Sequence, residues 1–327
     1  MAWLRPMLAC IASAGVLAFA PASAQDWPTR PITLVVPLAA GGGSDGLIRV
    51  FAPRLSELLG QSVIVENIGG AGGMIGSARV AKAAPDGYQI LLGTQGTHAL
   101  NQSIYAKPLY DALRDFEPVA LVFDVPLVPM GRKDLPASNL REFVAYARAH
   151  AARMQYGSSG AGGSGHLACG LVNSAIGVNV THIPYRGGGP AMADLLAGRL
   201  DYICALANIA KPQIDAGAAR GLAVLSPERS PILPNVPTGK EQGLVNVEAI
   251  AWNAMFLPKD TPAAIVDKLN NAVFAALDTP AVRERLIELG ASMIATGRRS
   301  PTYLKQYVEA EIAKWAATIR AAGIVPQ

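Results

Sequence analysis

Charge is scarce in this chain: of its 327 residues, only 16% are Asp, Glu, Lys or Arg. The 28 Lys and Arg against 24 Asp and Glu leave a net charge of +4, too slight for gripping a nucleic-acid backbone. Cysteine occurs three times and histidine four times. No H-E-x-x-H or comparable spacing suggests a metal, and no G-x-x-x-x-G-K-[ST] suggests a phosphate-binding P-loop. No self-similarity marks a solenoid or propeller, and the glycines and prolines follow no collagen-like period. Beyond the first residues no run reaches roughly 18 uninterrupted apolar side chains, which excludes a membrane-spanning helix from the mature sequence. No cofactor is implied.

What is present is apolar: 51% of residues are hydrophobic, with 33 glycines and 24 prolines spread throughout. A chain of this length and content predicts two globular domains. The first residues read as an address. Arg5 is the only charge before Asp26, Met7–Ala20 is a short apolar core, and Ala22-Ser23-Ala24 supplies an A-x-A site. Residues 1–24 are therefore expected to be a secretory signal peptide cleaved before Gln25. Too little apolar sequence precedes Cys10 for a lipid anchor. Export leaves Cys169 and Cys204, which are set among apolar neighbours and expected to be buried free thiols.

Strand-like and helix-like segments alternate. The β-branched run Ile32–Pro37 precedes Leu47, Ile48, Phe51, Leu55, Leu58 and Leu59 at helical spacing, and Gly60 closes that helix. Pro53 implies a kink in it. Further strands are expected at 63–66, 89–92, 154–157, 178–183, 201–205 and 221–225. Helices are expected at 73–83, 140–151, 165–176, 190–197 and 209–216, and three more fill the tail from residue 262. This alternation predicts an α/β protein with largely parallel sheets covered by helices. Two long apolar runs, Pro118–Met130 and Val247–Leu257, look like strands that pass from one sheet to another. They divide the chain into a discontinuous lobe, 25–123 with 250–327, and a second lobe, 124–249, with a ligand cleft between them. Trp252 reads as packing within the second crossing strand.

Two glycine loops stand out, each between a strand and a helix. One is Leu38-Ala39-Ala40-Gly41-Gly42-Gly43-Ser44-Asp45; the other is Gly157–His166, with Ser158, Ser159, Ser164 and Gly165. Glycine lets the backbone approach a ligand, and the following helix N-terminus offers unpaired N–H groups and partial positive charge. Such loops hold an anion without Lys or Arg. Ser44 or Asp45 taken singly fits equally well as a helix cap. A third turn, Gly93–His98, carries Thr94, Thr97 and His98. A fourth carries Arg186 and Gly187, where Arg186 fits a ligand carboxylate or a surface acid equally. Asn208, beside the helix expected at 209–216, completes the candidates.

Enzyme readings are weaker. Gly42-Gly43-Ser44-Asp45-Gly46 fits the G-x-S-x-G nucleophile elbow, which would make Ser44 a hydrolase nucleophile, but it follows the first strand of the mature chain. His98, His166 and His182 offer no preferred base. Gly70–Gly76 resembles a dinucleotide fingerprint without the acidic residue that should end the next strand. It reads better as a glycine turn that approaches a ligand or a neighbouring loop.

Trp27–Asp45 (W-P-T-R-P-I-T-L-V-V-P-L-A-A-G-G-G-S-D) strongly resembles the opening of Bug-type proteins, the periplasmic solute receptors of tripartite tricarboxylate transporters. So do Val65–Gly76, Pro85–Tyr88, Gly96–Asn101, Tyr156–Leu167, His182–Gly198 and Leu233–Thr238, in the expected order. The resemblance implies a two-lobed type II periplasmic-binding-protein fold with two mixed sheets, helical flanks and a two-strand hinge. It implies a monomer that closes on a small carboxylate through loops matching Leu38–Asp45 and Ser158–Gly165, with Thr94–His98 lining the cleft. The expected partner is a membrane permease, or in a variant role a receptor kinase, and not nucleic acid. Leu38 stands where Phe is common, and Ile68-Gly69 replaces the more usual Arg-Pro.

Overall fold

The computed structural model describes residues 27–245 and 247–321. The expected signal peptide, residues 1–24 with its cleavage before Gln25, lies outside the described residues.

Strand β1 (Ile32–Val36) is a five-residue β-branched run, almost wholly buried. Helix α1 (Gly43–Leu59) follows it, burying Leu47, Ile48, Phe51, Leu55 and Leu59 on the one face that their spacing selects. The helix continues through Pro53 and stops at Gly60, whose left-handed φ of 70° returns its N–H to the Glu57 carbonyl. Strand β2 (Val63–Asn67), helix α2 (Met74–Ala81) and strand β3 (Gln89–Thr94) come next, and β1 lies parallel between β2 and β3. A π-helical turn over Gly96–Leu100 then leads into α3 (Asn101–Ile104).

Strand β4 (Phe116–Arg132) has 17 residues. The chain then alternates again: α4 (Leu140–His150), β5 (Gln155–Ser158), α5 (Ser164–Ile176), β6 (Thr181–Pro184), α6 (Gly188–Leu196), β7 (Tyr202–Leu206), α7 (Ala207–Asp215) and β8 (Ala219–Gly221). Strand β9 (Ile250–Pro258) returns, followed by α8 (Ala263–Leu277), α9 (Pro280–Glu288), β10 (Ser292–Met293) and α10 (Pro301–Ala321).

The strands connect in the order β2-β1-β3-β9-β4-β7-β5-β6, with β8 and β10 also on β4. Both ends of this path are parallel, whereas β9 and β4 are antiparallel to their neighbours. The largely parallel expectation is therefore corrected at the centre, where the chain crosses on β4 and comes back on β9. Between Pro126 and Leu127, β4 changes partner from β9 to β7. The two mixed ladders are thus joined through β4, while among the described residues β9 pairs only with β3 and β4, so one strand passes between the ladders where the resemblance implied two. Two apolar clusters cover them. The larger centres on β1, β3, β9, α1 and α8; the smaller is drawn entirely from residues between Leu127 and Ala251.

The expectation of free thiols is corrected. Cys169 on α5 and Cys204 on β7 are joined as a disulfide, with Cα atoms 5.6 Å apart. Their apolar setting, read as a sign of free thiols, comes instead from α5 packing directly on β7. Trp252 is fully buried, donating its indole N–H to Glu311 at 3.0 Å. No helix among the described residues is long and apolar enough to cross a membrane.

Candidate functional site

Four helices begin around one cavity of about 70 Å³. Gly42, Gly43 and Ser44 come from the start of α1, Gly163, Ser164 and Gly165 from α5, Gly188 from α6, and Leu206 from the residue before α7. None of these four N-termini is capped by a side chain. Among the other helices, α4 has the Glu142 N–H bonded to the Asn139 side chain, whereas α2, α8 and α9 also lack a side-chain cap, so it is the convergence on one cavity that sets these four apart. Uncapped first turns leave N–H donors and partial positive charge facing inward. No Asp, Glu, Lys, Arg or His is among the described residues that line the cavity. Its apolar wall is built by Leu38, Leu127, Ile203, Leu206, Ile209 and Ala251.

Of the residues singled out from sequence, Leu38, Gly42, Ser44, Thr94, Ser158, Ser159, Ser164 and Gly165 line this space. Ser44 donates its hydroxyl proton to Asn253 Oδ1 at 2.7 Å. Ser158 lies 2.7 Å from His182 Nε2 and donates to the Gly160 carbonyl at 3.0 Å. The hydroxyls of Ser159 and Ser164 bond no group among the described residues. The nucleophile-elbow reading finds no base, because Ser44 contacts an amide rather than an imidazole. Among the described residues no carboxylate bonds His182, so the Ser158–His182 pair has no third member.

The other candidates sit behind or beside the wall. Asp45 is buried, and its carboxylate accepts from the Gly41 N–H at 2.9 Å and from Arg49 and Asn67 at 3.0 Å each. Burial pushes its pKa up, but the bonds from Arg49, Gly41 and Asn67 outweigh this and hold it below the usual carboxylate value. Asp45 therefore braces the first loop. Ala40 and Gly41 are on that loop's exposed side, and Ala39 packs on Gly187 at the start of α6. Arg186 is exposed, with no ion pair among the described residues. Thr97 is consumed by the Thr94 backbone, donating to its carbonyl and accepting its N–H. His98 does not reach the cavity. It stacks on Phe256 at 3.8 Å, and burial pushes its pKa down to about 3. Asn208 reaches across to the Gly43 carbonyl at 2.9 Å.

Three contacts bring the two ends of the sheet together beside the cavity. The Tyr105 hydroxyl donates to the Ala161 carbonyl at 2.8 Å, and Asn208 bonds Gly43. Gly72, at φ 60°, sits so close to the Ala161 carbonyl that a Cβ there would overlap it. Sequence reasoning read Gly70–Gly76 as a turn that meets a ligand or loop, and Gly72 does line the cavity. It missed Asn253, although that residue is the only side-chain amide in the run Ala249–Leu257. A lone amide inside an apolar strand was the available signal.

The model of the family described as "Tripartite tricarboxylate transporter family receptor" matches residues 47–324. A protein of Agrobacterium vitis from the TAR-I ttuE-ttuC' intergenic region is 40% identical, covering 97% of this chain and 91% of its own. Protein BugT of Bordetella pertussis is 36% identical, covering 96% and 95%. Among solved structures, the periplasmic binding protein BugD is 39% identical with a TM-score of 0.89, covering 92% of this chain and all (100%) of its own. MatC of Rhodopseudomonas palustris, solved with malate, is 38% identical with a TM-score of 0.87, covering 90% and 100%. Another R. palustris protein, solved with adipate, is 39% identical with a TM-score of 0.88, covering 92% and 100%.

Proposed function

Because the chain belongs to the tripartite tricarboxylate transporter receptor family, we propose that it is a periplasmic receptor that closes on a small carboxylate and delivers it to a membrane permease. The carrying observation is the convergence of four uncapped helix N-termini on a cavity without charged side chains. Such a site stabilises an anion through oriented N–H dipoles, and each helix contributes about 0.3–1 kcal/mol, more where the geometry is partly buried. Malate and adipate in the related structures support the carboxylate class. The ligand carboxylate bridges the loops Leu38–Asp45 and Ser158–Gly165, with Ser159 and Ser164 free to donate.

The two lobes are 25–123 with 250–327, and 124–249. The change of partner along β4 supports this division. Closure then needs ligand contacts that exist only when the lobes meet. Thermal unfolding with small acids and their amides tests the reading. At 100 times its dissociation constant a bound acid adds about 2.7 kcal/mol, so the midpoint should rise with the acid and stay put with the amide. Equal shifts from acid and amide would remove the anion clamp.

A further inference from the structure

Asn253 has half of its side chain accounted for. It is 1% exposed, stands in the cavity wall, and pairs with Thr94 of β3 and Phe123 of β4 in the sheet. Its Oδ1 accepts the Ser44 hydroxyl proton at 2.7 Å, while its Nδ2 has no partner. Burying an amide donor unsatisfied is unfavourable, and no other side-chain amide lines the cavity among the described residues. Ser44, at the N-terminus of α1, orients the amide by occupying its oxygen, so the nitrogen is the group left to meet a ligand. Backbone donors at the helix N-termini recognise a carboxylate but do not distinguish the rest of the molecule.

We propose, building on the carboxylate reading above, that Asn253 determines specificity by donating Nδ2–H to a second oxygen of the ligand. The preferred class is a small carboxylic acid that carries a further acceptor, either a hydroxyl or a second carboxylate. An acid with only an alkyl tail leaves the amide unpaired inside a closed cleft. A site built to hydrogen-bond a group discriminates strongly against the analogue that lacks it. Asn253 also sits on β9, paired with both β3 and β4, so this contact ties the ligand to the strand beside the one that changes ladders.

The test is calorimetric titration of the full chain with three matched pairs: propionate and lactate, butyrate and succinate, hexanoate and adipate. Wild type should bind the acceptor-bearing member of at least one pair roughly tenfold to a hundredfold more tightly. Asn253→Leu should bring that ratio to about one. Asn253→Asp keeps the shape and the oxygen that Ser44 bonds, but replaces the donor with an acceptor. It should lose the ratio as well, and it carries the test if the leucine variant does not fold. Variants that weaken both members equally and keep the wild-type ratio would show Asn253 to be merely structural, leaving the carboxylate reading intact. Binding of none of the six acids would overturn both.

Discussion

Asn208, in the first turn of α7, donates its Nδ2 proton to the carbonyl of Gly43, the first residue of α1, at 2.9 Å. The bond joins two helix N-termini across the cavity. With the Tyr105–Ala161 bond it forms a latch between the two ends of the sheet. Loss of the latch is expected to lower affinity without loosening either end. Asn208→Ala or Tyr105→Phe is expected to raise Kd about twofold to tenfold, as for a single hydrogen bond. Stopped-flow dissociation should be faster by a similar factor. An unchanged off-rate would mean that the latch does not hold the liganded form.

Gly72→Ala acts on the same closure by collision. The position needs a left-handed φ of 60°, which costs a side chain about 1 kcal/mol. The added Cβ also overlaps the Ala161 carbonyl. Calorimetry should show affinity reduced about tenfold or more, a loss of some 1.4 kcal/mol, with a much smaller change in ligand-free melting. Wild-type affinity in this variant would show that the two loops stay further apart when ligand is bound.

Acid should unfold the protein partly through its histidines. Burial pushes His98 down to about 3 and His166 down to about 4. Burial, with the neighbouring His166 adding to it, pushes His182 to about 3. Each stays neutral in the fold while the unfolded chain takes up a proton near the ordinary value of about 6.5. The stability they permit is therefore complete above about pH 6.5 and falls as pH drops toward 3 or 4. For the fully buried His98 the slope approaches about 1.4 kcal/mol per pH unit. His98→Phe, which can keep the stack on Phe256, should lose less stability than wild type between pH 6.5 and pH 4 in denaturant melts. Parallel curves would show that His98 titrates normally.

Reduction should lower thermal stability measurably. The Cys169–Cys204 bridge spans a sequence separation of 35 residues, and chain-entropy arguments give such a loop about 3–4 kcal/mol. Adding a strong reductant, or making Cys169→Ser with Cys204→Ser, should drop the melting midpoint by roughly 5–10 °C. Identical midpoints in oxidised and reduced protein would return the pair to free thiols.

Much of the fold was legible locally. The run Ile32–Pro37, the 3.6-residue spacing from Leu47 to Leu59 and the stop at Gly60 are near-neighbour effects of β-branching, amphipathicity and glycine's left-handed freedom. The glycine loops ahead of α1 and α5 were legible for the same reason. The role proposed for them rests mainly on backbone N–H groups, which depend on the glycines and not on particular side chains.

What tertiary structure alone decided was which side chains face the same space. His98 and Thr97 lie in a loop that reads as functional, yet one is taken up by Phe256 and the other by the Thr94 backbone. Asp45 is turned to its own loop by Arg49 and Asn67. Asn253 enters the wall from a strand 209 residues beyond Ser44, and Cys169 meets Cys204 only because α5 lies on β7. Periodicity and turn chemistry act over a few residues, so the elements and the glycine loops could be read directly from the chain. Side-chain partners at long separation depend on how β4 and β9 bring the two ends of the sheet together, and that is decided by packing.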